Sequence, residues 1–264
     1  MTTQETIAYR APLGLRLIDS ATGAPAADGL TATAWPAGDP GSARQAAQSP
    51  VSPILGFWRL PGLARYAEAR TGDPGTFGWP APGPGLPYEV RITDPLGRYL
   101  PELLAVNVPQ PALVTQVLYS APTRPAPSGF AIVSGEVHVT ATADPAAWAA
   151  ITVDTGAASY TTLADQLGRY LVHLPYPEAL PPLGGSPPSG PPGPLTWPLT
   201  ISVGYQPSAQ NRLADATAAD PPELGSLLGQ APAAISAGGG TEPGLAATLT
   251  FGTALLVMLE VVPA

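Results

Sequence analysis

The chain has 264 residues and a net charge of −8, with 19 acidic residues against 11 arginines and neither lysine nor cysteine. No cysteine means no disulfide, no thiolate metal site and no cysteine nucleophile, and without a basic patch the counterion release that drives nucleic-acid binding is missing. Hydrophobic residues make up 45% and charged ones 11%, enough to bury a core, while 36 prolines and 29 glycines disfavour helices and predict short strands joined by stiff loops.

The opening MTTQETIAYRAPLGLRLID has no basic segment followed by an apolar one, so no secretory signal is expected. Leu13, Leu15 and Leu17 share one face and predict a strand over 13–19. DSATGAPAADG then places Asp19, Gly23 and Pro25 in turn positions, and LTATAW predicts a second strand over 30–35. Residues 36–53 and 71–87 are rich in Pro, Gly, Ser and Ala without periodicity and predict long surface loops. Tyr88, Val90 and Ile92 alternate and predict a strand over 88–94.

A second series follows Pro111, with strands predicted within 113–120, 130–143, 148–156, 159–175, 199–205 and 247–262. Residues 184–194 are too proline-rich for a sheet, and 206–244 are polar and glycine-rich, with only PELGSLLGQ suggesting a helical turn. The terminal TALLVMLEVVPA is too short to span a bilayer and contains Glu260, so it reads as a core strand. The pattern predicts an all-β chain of two tandem Ig-like or transthyretin-like β-sandwiches with long Pro/Gly-rich loops. The expected modules are 1–110 and 111–264, the second with insertions near 184–194 and 206–244.

ITDPLGRYL at 92–100 returns as LADQLGRYL at 163–171. Asp94 and Asp165 suit acceptance of backbone N–H groups in a turn, and Gly97 and Gly168 suit the positive φ of a bulge. Tyr99 and Tyr170 then begin a return strand, ring inward and hydroxyl at the rim, with Arg98 and Arg169 on the surface. The repeat therefore predicts two copies of one hairpin, one per module. LRLIDSATGAPAADGLTATAW resembles the opening of the carboxypeptidase-regulatory-like modules of the transthyretin type, and TDPLGRYL and ADQLGRYL resemble the D-x-x-G-x-Y hairpin that closes them. The resemblance covers 13–109 and 130–205; in the second stretch TADPAAWAAITV matches only as a turn followed by a strand. It implies the sandwich fold and an accessory role rather than a chemistry.

The GRY hairpin is also similar to that of intradiol ring-cleaving dioxygenases, a likeness that implies an iron held by two tyrosines and two histidines with an H-x-H pair. This chain has two histidines, His138 and His173, and no H-x-H. Glu136 and His138 alternate with valines, as His173 does with Val172 and Leu174, which places them on outward strand faces. No metal or other cofactor is therefore expected. With no G-x-S-x-G elbow and no phosphate-cradling G-x-x-x-x-G-K-[ST], a non-enzyme is expected, and a metal-dependent dioxygenase-like enzyme is the disfavoured alternative.

Five tryptophans, Trp35, Trp58, Trp79, Trp148 and Trp197, are read first as caps over the sandwich ends. Trp79 and Trp197, each followed by proline in a loop, are the candidate interface or glycan-stacking aromatics. VLYSAPTRPAPSGFAIVSGEV, AAWAAITV and GRYLVHLPYPE are similar to accessory proteins of phage-tail-like contractile injection systems. That likeness implies a structural or adaptor protein, made in the cytoplasm without a signal peptide and released by lysis within a particle. Its partners would be other protein subunits or further copies of itself, with no nucleic acid and no membrane span; a surface glycan is the alternative partner.

Overall fold

Alternating sequence gives alternating burial along most of the long strands of the computed structural model, whereas residues 170–174 are buried on both faces. The structure describes residues 11–63, 70–71, 77–78, 85–176, 194–213, 216–217, 219–237 and 240–264. The first series comprises β1 (Leu13–Asp19), β2 (Thr31–Pro36), β3 (Arg44–Gln45), β4 (Ala47–Gln48), β5 (Ile54–Phe57), β6 (Arg70–Thr71), β7 (Phe77–Gly78), β8 (Leu86–Thr93), β9 (Glu102–Val108) and β10 (Val114–Leu118). These form two four-stranded sheets, β10-β1-β5-β4 and β3-β2-β8-β9, with β6 and β7 as a separate ribbon. Leu13, Leu15 and Leu17 of the one sheet and Val90 and Ile92 of the other are buried in a common core. β10 lies past residue 110 and runs parallel to β1, with Leu15 opposite Val114 and Asp19 opposite Leu118.

The second series comprises β11 (Phe130–Val139), β12 (Ala150–Asp154), β13 (Ser159–Leu163), β14 (Arg169–Pro175), β15 (Thr196–Gly204), β16 (Pro232–Ala237), β17 (Gly240–Glu242), β18 (Leu245–Thr250) and β19 (Leu255–Val262), with one short helix, α1 (Leu224–Leu228). Its strands follow the order β13-β12-β15-β16-β19-β11-β14, with β18 on β15 and β17 on β16. β16 pairs with β15 through Pro232 and Ala233 and with β19 through Ala234 and Ile235, so it passes from one layer to the other. The core between the layers is built from Val133, Val137, Ile151, Val153, Ile201, Leu259 and their neighbours. The chain is an all-β protein of two β-sandwiches.

The stretch 206–244 is not simply an insertion. The suggested helical turn is α1, but β16 and β17 also lie there, and β16 joins the two layers of the second sandwich. Its sequence, PAAISA, alternates Ala233 and Ile235 inward with small outward residues, too weak a contrast to read as a strand.

Both sandwiches open on the same turn. Asp19 N–H donates to Ala24 O and Gly23 N–H to Asp19 O, and in the second unit Val139 N–H donates to Asp144 O and Ala143 N–H to Val139 O. Gly23 has φ 68° and Ala143 φ 57°; just ahead of β2 and β12, Gly29 has φ 72° and Trp148 φ 63°. Glycine is the usual residue for this conformation, and the second copy holds it with alanine and a buried tryptophan instead. The second opening turn is thus closer to the first than its letters suggest.

Candidate functional site

The two copies of the repeat share their turn chemistry. In the first, Asp94 accepts the N–H groups of Leu96 (3.1 Å), Arg98 (2.8 Å) and Tyr99 (3.3 Å), and the Arg98 Nε donates to it at 3.0 Å. In the second, Asp165 accepts from Leu167 N–H (2.8 Å) and Arg169 N–H (2.9 Å), and Arg169 Nη2 lies 2.7 Å from it. Gly97 and Gly168 have φ 67° and 74°. For Asp94, burial is the largest single influence and would raise its pKa, but the hydrogen bonds from Arg98 and the turn amides outweigh it and hold the carboxyl below its ordinary range.

The flanks of the two turns differ. β8 and β9 pair antiparallel with Ile92 opposite Glu102, so the first repeat closes a hairpin. The second does not, contrary to the expectation for Asp165, Gly168 and Tyr170: β13 pairs with β12 and β14 with β11, at opposite ends of the strand order. A turn motif fixes the local path of the chain, while tertiary packing decides which strands its flanks join. Gly168 is clamped here, since Val137 N–H donates to Gly168 O at 2.8 Å and a Cβ on Gly168 would lie 2.5 Å from Val137 O.

The tyrosines differ too. Tyr99 is buried between two guanidinium groups, Arg124 at 4.6 Å and Arg98 at 5.5 Å from the ring centre. The hydroxyl of Tyr170 lies in the core rather than at the rim and donates to Val257 O at 3.0 Å, with its pKa pushed up by burial. Gly135 makes the room, because a Cβ there would sit 1.8 Å from the same carbonyl oxygen.

Around Tyr99 the two sandwiches meet through a buried polar chain. Arg124 binds Asp19 through both terminal nitrogens, at 2.8 and 2.5 Å, and donates from Nη1 to Ser120 Oγ at 3.0 Å. Ser120 Oγ lies 3.3 Å from His173 Nδ1, which carries the chain into β14 of the second unit. Burial, the largest influence on Asp19, would raise its pKa, yet Arg124, the Ala21 amide and Thr22 together hold it down to about 2. Burial and the nearby Arg124 hold His173 below its ordinary value.

His173 is on the outward face of its sheet, as alternation predicts, but the first sandwich covers it and leaves it 4% exposed. Its Nε2 and the hydroxyl of Thr162, 3% exposed, have no hydrogen-bond partner among the described residues. Each such group costs about 1–3 kcal/mol if left dry. Both residues line one cavity of about 290 Å³ between the units.

The junction is also apolar. Trp148, Leu163, Leu224 and Leu227, all from the second series, belong to the core of the first sandwich. The Glu223 side chain caps α1 by accepting the N–H groups of Gly225 and Ser226, both at 2.8 Å, which sets Leu224 and Leu227 against that core. Nearby, the outer face of β2 and β8 together with Arg212, Leu213, Ala216, Asp220 and Glu223 encloses a cleft of about 580 Å³. There Trp35 Nε1 donates to Glu89 at 2.5 Å, and Arg91 lies over the indole ring and pairs with Asp220 at 2.9 Å.

Glu102, at the start of β9, is the most deeply buried acid described, at 1% exposure. Burial pushes its pKa up to about 8 against the hydrogen bonds it accepts from Tyr119 N–H and Gln116. Nothing in its alternation separates it from a solvent-facing strand residue, so the sequence carried no signal for it.

Among the other expected positions, Trp197 is half-buried in an aromatic group with Tyr176, 5.7 Å away, and Phe251, which lies 4.7 Å from Tyr176 and is exposed. Trp79 lies outside the described residues. Trp35 and Trp148 are buried in the body of the molecule rather than capping its ends. His138 is on an outward face beside Glu136 at 3.1 Å. Among the described residues no three His, Asp or Glu side chains converge on one point, and no helix is long and apolar enough to cross a membrane.

No protein-family model and no curated protein matches the chain in sequence. Among solved structures it is similar to the shaft pilin SpaA from Lactobacillus rhamnosus GG, at 9% identity over 96% of this chain and 97% of that one, with a TM-score of 0.25. A Streptococcal ancillary pilin matches at 14% identity over 96% of this chain and 63% of its own, with a TM-score of 0.22. Likenesses this distant carry no inference about activity.

Proposed function

We propose that the protein is a non-enzymatic structural or adaptor subunit of a larger assembly, and more specifically of a phage-tail-like contractile injection particle. The supporting observation is the outer face of β19. Val257, Leu259 and Val261 fill the core, while Leu256, Met258 and Val262 point outward at 71%, 57% and 43% exposure, with Glu260 the one charged residue on that face of the strand. β19 pairs with β11 from Leu255 to Val261 and with β16 only at Val261 and Val262, so Leu256 and Met258 stand on the part of the strand that has a ladder partner on one side. Leu256 and Met258, neighbours on one strand face, support the reading that another subunit covers this part of the sheet.

Co-sedimentation with sheath and tube proteins tests the particle reading. Leu256→Glu combined with Met258→Glu leaves the thermal transition in place and abolishes co-sedimentation. A protein that stays small and monomeric in lysate with Leu256 and Met258 intact defeats the proposal. The aromatic group of Tyr176, Trp197 and Phe251 favours a second reading, glycan binding. That reading requires Trp197→Ala to abolish retention on a polysaccharide column without loss of fold.

A further inference from the structure

We propose that a groove on the outer face of β1 and β5 takes the proline-rich stretch 184–194 of a second copy of this chain, an inference that rests on the reading of the protein as an assembly subunit. The groove holds about 670 Å³. Leu13, Leu15, Leu55 and Phe57 point into the core, so Gly14 and Gly56 face outward, and they lie opposite each other across the two strands. Together they leave a floor without side chains. A Cβ on Gly14 would come within 2.7 Å of Leu113, and one on Gly56 would meet the Trp58 indole at 3.5 Å, so these two side chains border the floor. Each is 41% exposed.

No ionisable side chain is among the described residues that line the groove: its polar groups are two glutamine amides, Gln48 and Gln110, and two serine hydroxyls, and the remainder is alanine, proline and isoleucine. The groove also lies away from the second sandwich. Gly14 and Leu113 stand at the start of the parallel pair β1 and β10, whose other ends, Asp19 and Leu118, lead into the polar chain at the junction. Five residues of strand, about 17 Å, separate the two ends. That placement presents the groove to another molecule.

An exposed indole among apolar side chains, with neutral amides and no charge, suits a proline-rich segment. Pyrrolidine rings pack on the indole, and an extended polyproline II backbone keeps its carbonyls free to accept from side-chain amides. GGSPPSGPPGP at 184–194 has five prolines and no charged residue, and all of it but Pro194 lies outside the described residues. An uncharged segment against an uncharged groove is a contact that two chains of net charge −8 can make without setting acid against acid. A glycan also stacks on tryptophan, but it carries hydroxyls around its whole rim, and walls of alanine, proline, isoleucine and leucine leave most of them without partners.

A dye-labelled GGSPPSGPPGP peptide is titrated with the intact protein and followed by fluorescence anisotropy, beside the same peptide with every proline replaced by alanine. The inference requires saturable binding of the first and binding of the second weaker by about tenfold or more. Trp58→Ala removes an exposed ring and weakens binding about tenfold with the melting temperature little changed. Gly56→Ala, whose Cβ meets only ordinary contacts, folds, raises the floor and also weakens binding, whereas Trp197→Ala binds normally. Sedimentation velocity of the intact protein shows association that grows with concentration and is reversed by excess peptide. The inference is overturned if binding never saturates, if the alanine peptide binds as well, if Trp58→Ala and Gly56→Ala both bind normally, if cellohexaose displaces the peptide, or if the protein stays monomeric at every concentration. Co-sedimentation with sheath and tube proteins that persists after any of these results overturns this inference alone and leaves the assembly reading in place.

Discussion

Replacing Glu102 by glutamine separates the cost of a buried charge from every other pH effect in the molecule. The carboxyl is 1% exposed and its pKa is raised from 4.5 to about 8. Because the folded value lies above the unfolded one, the contribution of this group is fully present below about pH 4.5 and is lost as the pH rises through about 8. A gap of that size corresponds to about 5 kcal/mol at completion, of which about 1 kcal/mol has developed at pH 5 and nearly all at pH 9. His173 acts in the opposite sense, since its lowered pKa removes stability on acidification below its ordinary 6.5. That contribution is common to both proteins and cancels in their difference. Urea unfolding of wild type and Glu102→Gln should therefore show a stability difference that moves in favour of the variant by about 4 kcal/mol between pH 5 and pH 9. The amide must repartition its bonds with Tyr119 N–H and Gln116, which adds an offset independent of pH. Only the change in the difference is diagnostic. If the two stabilities run parallel from pH 5 to pH 9, Glu102 does not enter the folded state as a buried neutral acid.

Asp19→Asn should cost about 3 kcal/mol at neutral pH by leaving Arg124 buried and unpaired. The wild-type protein should lose that contribution as the pH falls from 3.8 towards about 2, measurable by acid unfolding. Gly97→Ala, with open space around its Cβ, should cost only the left-handed backbone penalty of about 1–2 kcal/mol. Gly168→Ala adds the clash with Val137 O, so chemical denaturation should find it the more damaging of the two by several-fold. Leu227→Ala should cost about 2–5 kcal/mol and lower the unfolding midpoint reported by first-sandwich probes although the residue lies in the second series. Calorimetry should record one transition rather than two.

The strands were legible where apolar alternation had contrast: Leu13, Leu15 and Leu17 point into the core as the pattern requires. β16 was not, because Ala233 and Ala234 sit on opposite faces and differ by nothing in the sequence. The second opening turn was half hidden because Ala143 and Trp148 take up positive φ where the first copy uses glycine. Asp94 and Asp165 announced their turns, since side-chain capping of nearby N–H groups is a local property. The junction had no local signature. Burial of His173 and Thr162 depends on what the other sandwich packs against them, and that of Glu102 on the β10 stretch with Gln116 and Tyr119, whereas periodicity reports only which face a residue takes.

The repeated D-x-L-G-R-Y-L shows how one local motif serves two tertiary ends. In both copies the aspartate gathers the turn and holds the following arginine. In the first, the chain folds back as β9 while Tyr99 lies between Arg98 and Arg124, next to the polar chain that reaches His173. In the second, the chain leaves the β13 layer and crosses to β11, so that Leu171 and His173 face the first sandwich and Tyr170 reaches Val257. The first copy thus prepares one wall of the junction and the second supplies the other. Loosening the second turn, as Gly168→Ala does, should therefore shift the His173 resonances as well as lower stability, while Gly97→Ala, whose Cβ meets open space, should lower stability with a smaller effect on β14.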